Sequence, residues 1–190
     1  MVAQADPADI APHVVAKAIA RLHRITLERV EKLSDQDFAW RPTSGSPSMA
    51  FHTWHMGRWA DLLLSLLSGA DGGKRQQVWD AEELAARWGI AQRDLGQDGT
   101  GMGLEDEASA SLRLPERDTL LSYTCEVFAA VDAALAALDG AGYARESLDL
   151  YGRQSIVAEA VVSHLGHLSR HLGMIEALCG VQGAAGTATV

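Results

Sequence analysis

Between residues 157 and 178 the inward positions Val157, Val161, His164, Leu168, His171, Ile175 and Leu178 recur at alternating intervals of four and three. That spacing makes the seam of a helix packed lengthwise against other helices; strand positions facing one side recur every second residue. Three more long segments carry a helical period. Residues 9–33 present Val15, Ile19, Leu22, Val30 and Leu33. Residues 48–67 follow Pro47 and present His52, His55, Trp59, Leu62 and Leu66. Residues 115–140 open on a first-turn proline and present Thr124, Phe128, Val131, Leu135 and Leu138. Gly69, Gly140 and Gly180 read as helix stops. No run alternates apolar and polar residues with β-branched enrichment, so no strand is expected.

The fold class these segments imply is all-α: an antiparallel four-helix bundle with one long crossover connection. The crossover, residues 69–114, carries a short extra helix over residues 79–90, then the glycine-rich stretch GQDGTGMGLEDE. A connection of that length either crosses the fold or covers a site. One domain over residues 1–180 is expected, with a flexible tail over 181–190.

Two of the four seams contain histidine where a packed helix wants leucine. His52 and His55 lie on the second helix; His164, His167 and His171 lie on the fourth, within about 60° of arc at ~100° per residue. A buried neutral imidazole needs partners for one donor and one acceptor, and each one left unmatched costs on the order of 1–3 kcal/mol. Imidazoliums crowded together in a core are opposed by desolvation and by like charge. A divalent ion resolves both problems, because it takes the ring nitrogens in their neutral form. His167 and His171, at i and i+4, can reach one ion, and His55 on the facing helix can supply the third ligand. The alternative is a metal-free polar network. His13 and His23, on the first helix, show no partner pattern and read as surface or flanking residues.

Composition narrows the function classes. With a net charge of −9, a pI near 5.1 and no basic block, the chain is not expected to bind nucleic acid. The N-terminus shows no secretory signal, the longest apolar run is too short to span a membrane, and Cys125 and Cys179 form no CxxC pattern. A cytoplasmic protein with reduced thiols is expected. Nothing in the sequence lowers the pKa of either cysteine, so both read as inert.

The segments SMAFHTWHMGRWAD, from Ser48, and HLSRHLGMIEAL, from His167, together with the W-x-P loop of FAWRPTSGSPSMA, from Phe38, resemble the DinB-like (YfiT-like) superfamily of metal-binding four-helix bundles. Its relatives include mycothiol-dependent maleylpyruvate isomerases and bacillithiol S-transferases. The resemblance implies His55, His167 and His171 as ligands of a divalent metal with open positions for water or substrate; imidazole suits zinc, nickel, copper and iron, with zinc or nickel first among the candidates. It also implies a low-molecular-weight thiol as cosubstrate, held as thiolate to attack a small-molecule electrophile. Two departures stand out: His52 and His164 are additional histidines, and the glutamine often found soon after the last ligand is Met174 here.

Around these ligands, Arg58 could anchor an anion, although a solvated charge on the helix flank is the simpler reading, as it is for Asp61. Glu159 and Glu176 are candidates to orient ring N–H groups. Trp54, Trp59, Trp79 and Trp88 offer apolar walls, with Trp59 on the seam. The leading reading is a metal-dependent thiol transferase or isomerase. A metal-dependent hydrolase, and a non-enzymatic helical module acting as a homodimer, are the alternatives.

Overall fold

The computed structural model describes residues 7–67 and 76–184. The last residues of the expected tail, 185–190, and the Gly69 stop lie outside the described residues. The four long helices are α1 (Pro7–Val30), α3 (Met49–Leu66), α7 (Arg117–Ala136) and α9 (Val157–Val181). Shorter ones lie between them: α2 (Asp35–Ala39), α4 (Val78–Ala81), α5 (Leu84–Arg87), α6 (Asp106–Ser111) and α8 (Gly140–Ala144). The protein is an all-α four-helix bundle in which α3 packs against α7 and α9, and α1 packs against the same two.

Side-chain pairs fix the directions. Met49 meets Cys179, His52 meets His171 and His55 meets His167, so α3 and α9 run antiparallel. Arg117 bonds the Leu33 carbonyl while Asp132 reaches back to His23, so α1 and α7 are also antiparallel. His23 lies beside His164, and Gln182 bonds the Asp37 carbonyl, so α1 and α9 run together. It follows that α3 and α7 are parallel. Two parallel helices cannot be joined by a tight turn, which is why the α3–α7 connection has to travel the length of the bundle.

Local chemistry sets the helix ends. The Ser48 hydroxyl accepts from the Phe51 amide at 3.1 Å and caps α3, two residues after the helix-disfavouring Pro47. Helix α9 passes through Gly180 and stops at Gly183, whose φ of +86° and the Ala184 N–H bond to the Cys179 carbonyl make a Schellman end. The apolar stripes are the core: Phe128, Val131 and Leu135 of α7, and Val157, Val161, Leu168 and Ile175 of α9, are buried. Helix α3 is buried on nearly every side from Met49 to Asp61. Among the described helices, α7 alone is long and apolar enough to cross a membrane, and its stripe is spent inside the bundle.

Two expectations about local structure are corrected. Strands do exist: β1 (Glu146–Leu148) pairs antiparallel with β2 (Gln154–Ile156), pinned by the Asp149 carboxylate, which accepts from the Tyr151 and Arg153 amides at 2.8 Å. Three residues a side are too few for an alternating pattern to register. The expected single helix over 79–90 is instead the pair α4 and α5, broken at Glu83, whose φ is +51°. The break leaves Trp79 and Leu84 buried, which one straight helix would not do for both.

Candidate metal centre

The antiparallel pairing of α3 and α9 stacks histidines in two rungs. His55 Nε2 lies 3.0 Å from His167 Nε2, and one turn away His52 Nδ1 lies 3.0 Å from His171 Nδ1. The rungs touch, since the His55 and His171 ring centroids are 4.7 Å apart and those of His167 and His171 are 4.4 Å apart. One nitrogen from each of His55, His167 and His171 lies within 4.8 Å of the other two, so these three could hold an ion. Imidazole nitrogens at ~2.0–2.1 Å from one tetrahedral ion are about 3.4 Å apart, between the shortest and the longest separation here.

Hydrogen bonds select tautomers. His55 Nδ1 donates to the Thr100 carbonyl, which leaves the His55 Nε2 lone pair turned toward His167. In the His52–His171 pair, a proton on His171 Nδ1 donated to His52 leaves His171 Nε2 as a ligand nitrogen; the reverse arrangement leaves it none. Burial, with help from its neighbour His55, lowers His52 to about 4. Burial lowers His55 to about 4 as well, against the opposing bond to Thr100. Burial, then the charges of neighbouring histidines beginning with His55, holds His167 and His171 lower still. All four rings are therefore neutral at pH 7, the form a metal needs.

The walls are aromatic. Trp59 stacks on His167 with centroids 4.1 Å apart and planes 13° off parallel, and Phe51 lies nearly parallel to His55 at 5.7 Å. Tyr151, 48% exposed at the tip of the β-hairpin, meets Trp59 edge-on, so this side of the cluster faces outward. A surface cavity of about 700 Å³ beside Arg41, Arg113 and Arg117 contains none of these histidines. The concentration of chemistry, not the volume of a groove, marks the site.

Other residues singled out in the sequence are distributed differently. His164 is fully buried but stands apart from the rungs, edge-on to His23 at 5.7 Å, with no hydrogen-bond partner for either ring nitrogen among the described residues. His23 is not on the surface: it is 1% exposed, bonds Asp132 at 2.8 Å and stacks on Phe128 at 3.8 Å. Its signal was present, because Ile19, His23, Thr26 and Val30 continue a four-three-four seam. His13 is exposed, as expected.

Arg58 and Asp61 are not solvated. Both are buried and joined at 3.1 Å. The Arg58 guanidinium donates to Gly99 and Asp98 carbonyls, Asp61, Tyr123 and Gln77, which uses its five N–H groups and leaves none for a substrate anion. Asp61 accepts from the amides of Val78 and Trp79 and from the Tyr123 hydroxyl. Trp79 stacks over Arg58 at 4.6 Å, with Trp54 and Trp88 against its ring, so Trp79 and Trp88 pack on this pair and do not cap the histidines. Glu159 is exposed and takes the Ser155 hydroxyl. The ring N–H groups are oriented by the Thr100 carbonyl and by the His52–His171 pair. Burial raises the Cys125 and Cys179 thiols, so neither is a ready nucleophile.

Against known proteins, the family model of the DinB superfamily matches residues 18–175. The fold is similar to that in the crystal structure of a conserved protein from Enterococcus faecalis, with a TM-score of 0.71 and 17% identity over 90% of this chain and 96% of that one. No curated protein matches the sequence.

Proposed function

The chain belongs to the DinB superfamily, and on that footing we propose that it is a divalent-metal enzyme whose ion sits on His55, His167 and His171. In this reading it transfers or isomerises through a small thiol. The observation that carries the proposal is the convergence of three neutral imidazoles, of which His55 has its tautomer selected by the Thr100 carbonyl. His55, His167 and His171 would hold the ion, zinc or nickel first among the metals that imidazole suits, and it would supply Lewis acidity and favour the thiolate form of a thiol at neutral pH.

The chain's own residues do the rest. Burial keeps the imidazoles unprotonated. Trp59 fixes the His167 ring plane by stacking. The outward aromatic rim of Tyr151 and Trp59 offers apolar contact to an incoming electrophile. Both cysteines are held in the thiol form, and Cys179 is buried against Met49, which supports a thiol nucleophile drawn from a cosubstrate. Asp61, the buried carboxylate on the ligand helix, is fully occupied by Arg58, Tyr123 and two amides. That argues against a hydrolase using it as base. A cytoplasmic homodimer acting on a small molecule completes the proposal.

The test is elemental analysis of tag-free protein beside His55→Ala, His167→Ala and His171→Ala, followed by turnover assays with and without added thiol. Near-stoichiometric metal that each variant loses, and turnover that needs the thiol, are expected. A parent that takes up neither zinc nor nickel overturns the reading. Turnover without a thiol moves the activity to the hydrolase class.

A further inference from the structure

The crossover is tied to helix α3 at several points, all on one face. Asp61 accepts the amides of Val78 and Trp79 at 2.9 and 2.8 Å, which anchors the near end. Arg58 donates to the Gly99 carbonyl at 2.8 Å and to Asp98, which anchors the far end. One residue further on, the Thr100 carbonyl receives His55 Nδ1. Arg58 and His55 are three residues apart on α3, so the clamp and the ligand share a helix face.

The turn that presents this carbonyl is shaped for close approach. The Thr100 hydroxyl donates to the Gln97 carbonyl at 2.8 Å and accepts the Met102 amide at 3.3 Å, closing residues 97–102, and Gln97 bridges to Met102. Gly101 has φ of +86°, and a methyl group there would lie 2.8 Å from Trp54 and 3.0 Å from His55 Nδ1. Only glycine lets the backbone come this near the ring. The bond is specific in effect: a carbonyl has no proton to give, so it selects the Nδ1–H form of His55 and exposes Nε2.

We propose that residues 97–102 are a strap that sets the affinity of the metal site by holding His55 in one tautomer, and that Arg58 and Asp61 are the positioning residues that hold the strap down. The inference rests on the metal reading above. Loss of a group that orients a metal-bound histidine typically weakens metal binding by about 10–100-fold.

The variants are Thr100→Ala, which loses both side-chain bonds of the turn, Thr100→Ser, which keeps them, and Gly101→Ala, which pushes the turn off His55. Three quantities are read: the thermal midpoint of the metal-free protein, the tautomer of His55 from long-range nitrogen–proton NMR of the metal-free protein, and zinc affinity by chelator competition. Expected are a His55 Nδ1–H form in the parent and in Thr100→Ser, a mixture in the other two, and ~10–100-fold weaker zinc in those two alone. Folded Thr100→Ala and Gly101→Ala proteins with parental tautomer and zinc affinity overturn the strap. So does a parent whose His55 carries its proton on Nε2. Because the tautomer is read without metal, a parent that binds no zinc defeats the metal reading while the strap's effect on His55 is still decided. If either variant fails to fold, the parental tautomer decides.

Discussion

His52 Nδ1 and His171 Nδ1 lie 3.0 Å apart, across 119 residues of sequence, in a contact where one ring has to give and the other has to receive. His52 thus works on the site through its neighbour. His52→Ala should keep metal stoichiometry at saturating zinc but weaken affinity by about 10-fold or more. His55→Ala should lose stoichiometric binding altogether. Equal behaviour of the two variants in a chelator titration would place His52 among the ligands.

The metal-free protein should weaken in mild acid. His52, His55, His164, His167 and His171 all have folded-state pKa values depressed by burial first. Below about pH 6.5 the unfolded chain takes up protons that the native state refuses, so stability is full above that pH and falls toward pH 4. There His52 and His55, at about 4, begin to protonate in the folded state as well. Each group costs about 1.4 kcal/mol per pH unit in that window. Urea melts at pH 8, 6 and 5 measure the slope; a flat profile would show that these rings are solvated.

His164→Leu should stabilise the protein. The native ring is buried with neither nitrogen hydrogen-bonded among the described residues, and leucine removes both polar atoms while filling similar space. A gain of about 1–2 kcal/mol in chemical denaturation is expected, with metal content unchanged. Metal loss in this variant would show that His164 belongs to the site.

Asp61→Asn should destabilise by roughly 3–5 kcal/mol, the usual result of leaving a buried charge without its counterion. Arg58 would remain buried with its carbonyl partners but without the carboxylate. Burial raises the Asp61 pKa, and two amides, Arg58 and Tyr123 oppose that rise. A denaturant midpoint like the parent's would mean that Arg58 reaches solvent in the variant.

Periodicity made the bundle legible because α7 and α9 each bury a continuous stripe, whereas α3 is buried on nearly every side; Val157, Val161, Leu168 and Ile175 could be read off directly. The grouping of His55, His167 and His171 was legible because His167 and His171 stand one turn apart on α9 and face His55 across the antiparallel α3, whereas the seam residue His164 turns to His23. The partner of the buried His23, Asp132, lies 109 residues away, beyond any local pattern. Arg58 and Asp61 were misread because a charged pair at i,i+3 looks the same on a wet face as inside a core. What buries it is the crossover, whose path no local pattern encodes. Thr100 was beyond reach altogether, because its contribution is a backbone carbonyl and its side chain gives no hint of it.

The contact between His55 and His167 joins points 112 residues apart. A covalent link closing a loop of that size would take roughly 4–5 kcal/mol of freedom from the unfolded chain. An ion shared by those two rings is a cross-link of the same reach that can be withdrawn. An ion that bound the folded chain and not the open one would add to the work of unfolding with the logarithm of its free concentration. On the proposed reading, metal supply would govern how long each molecule survives proteolysis, and a chelator would act on this protein as a reducing agent acts on a secreted one.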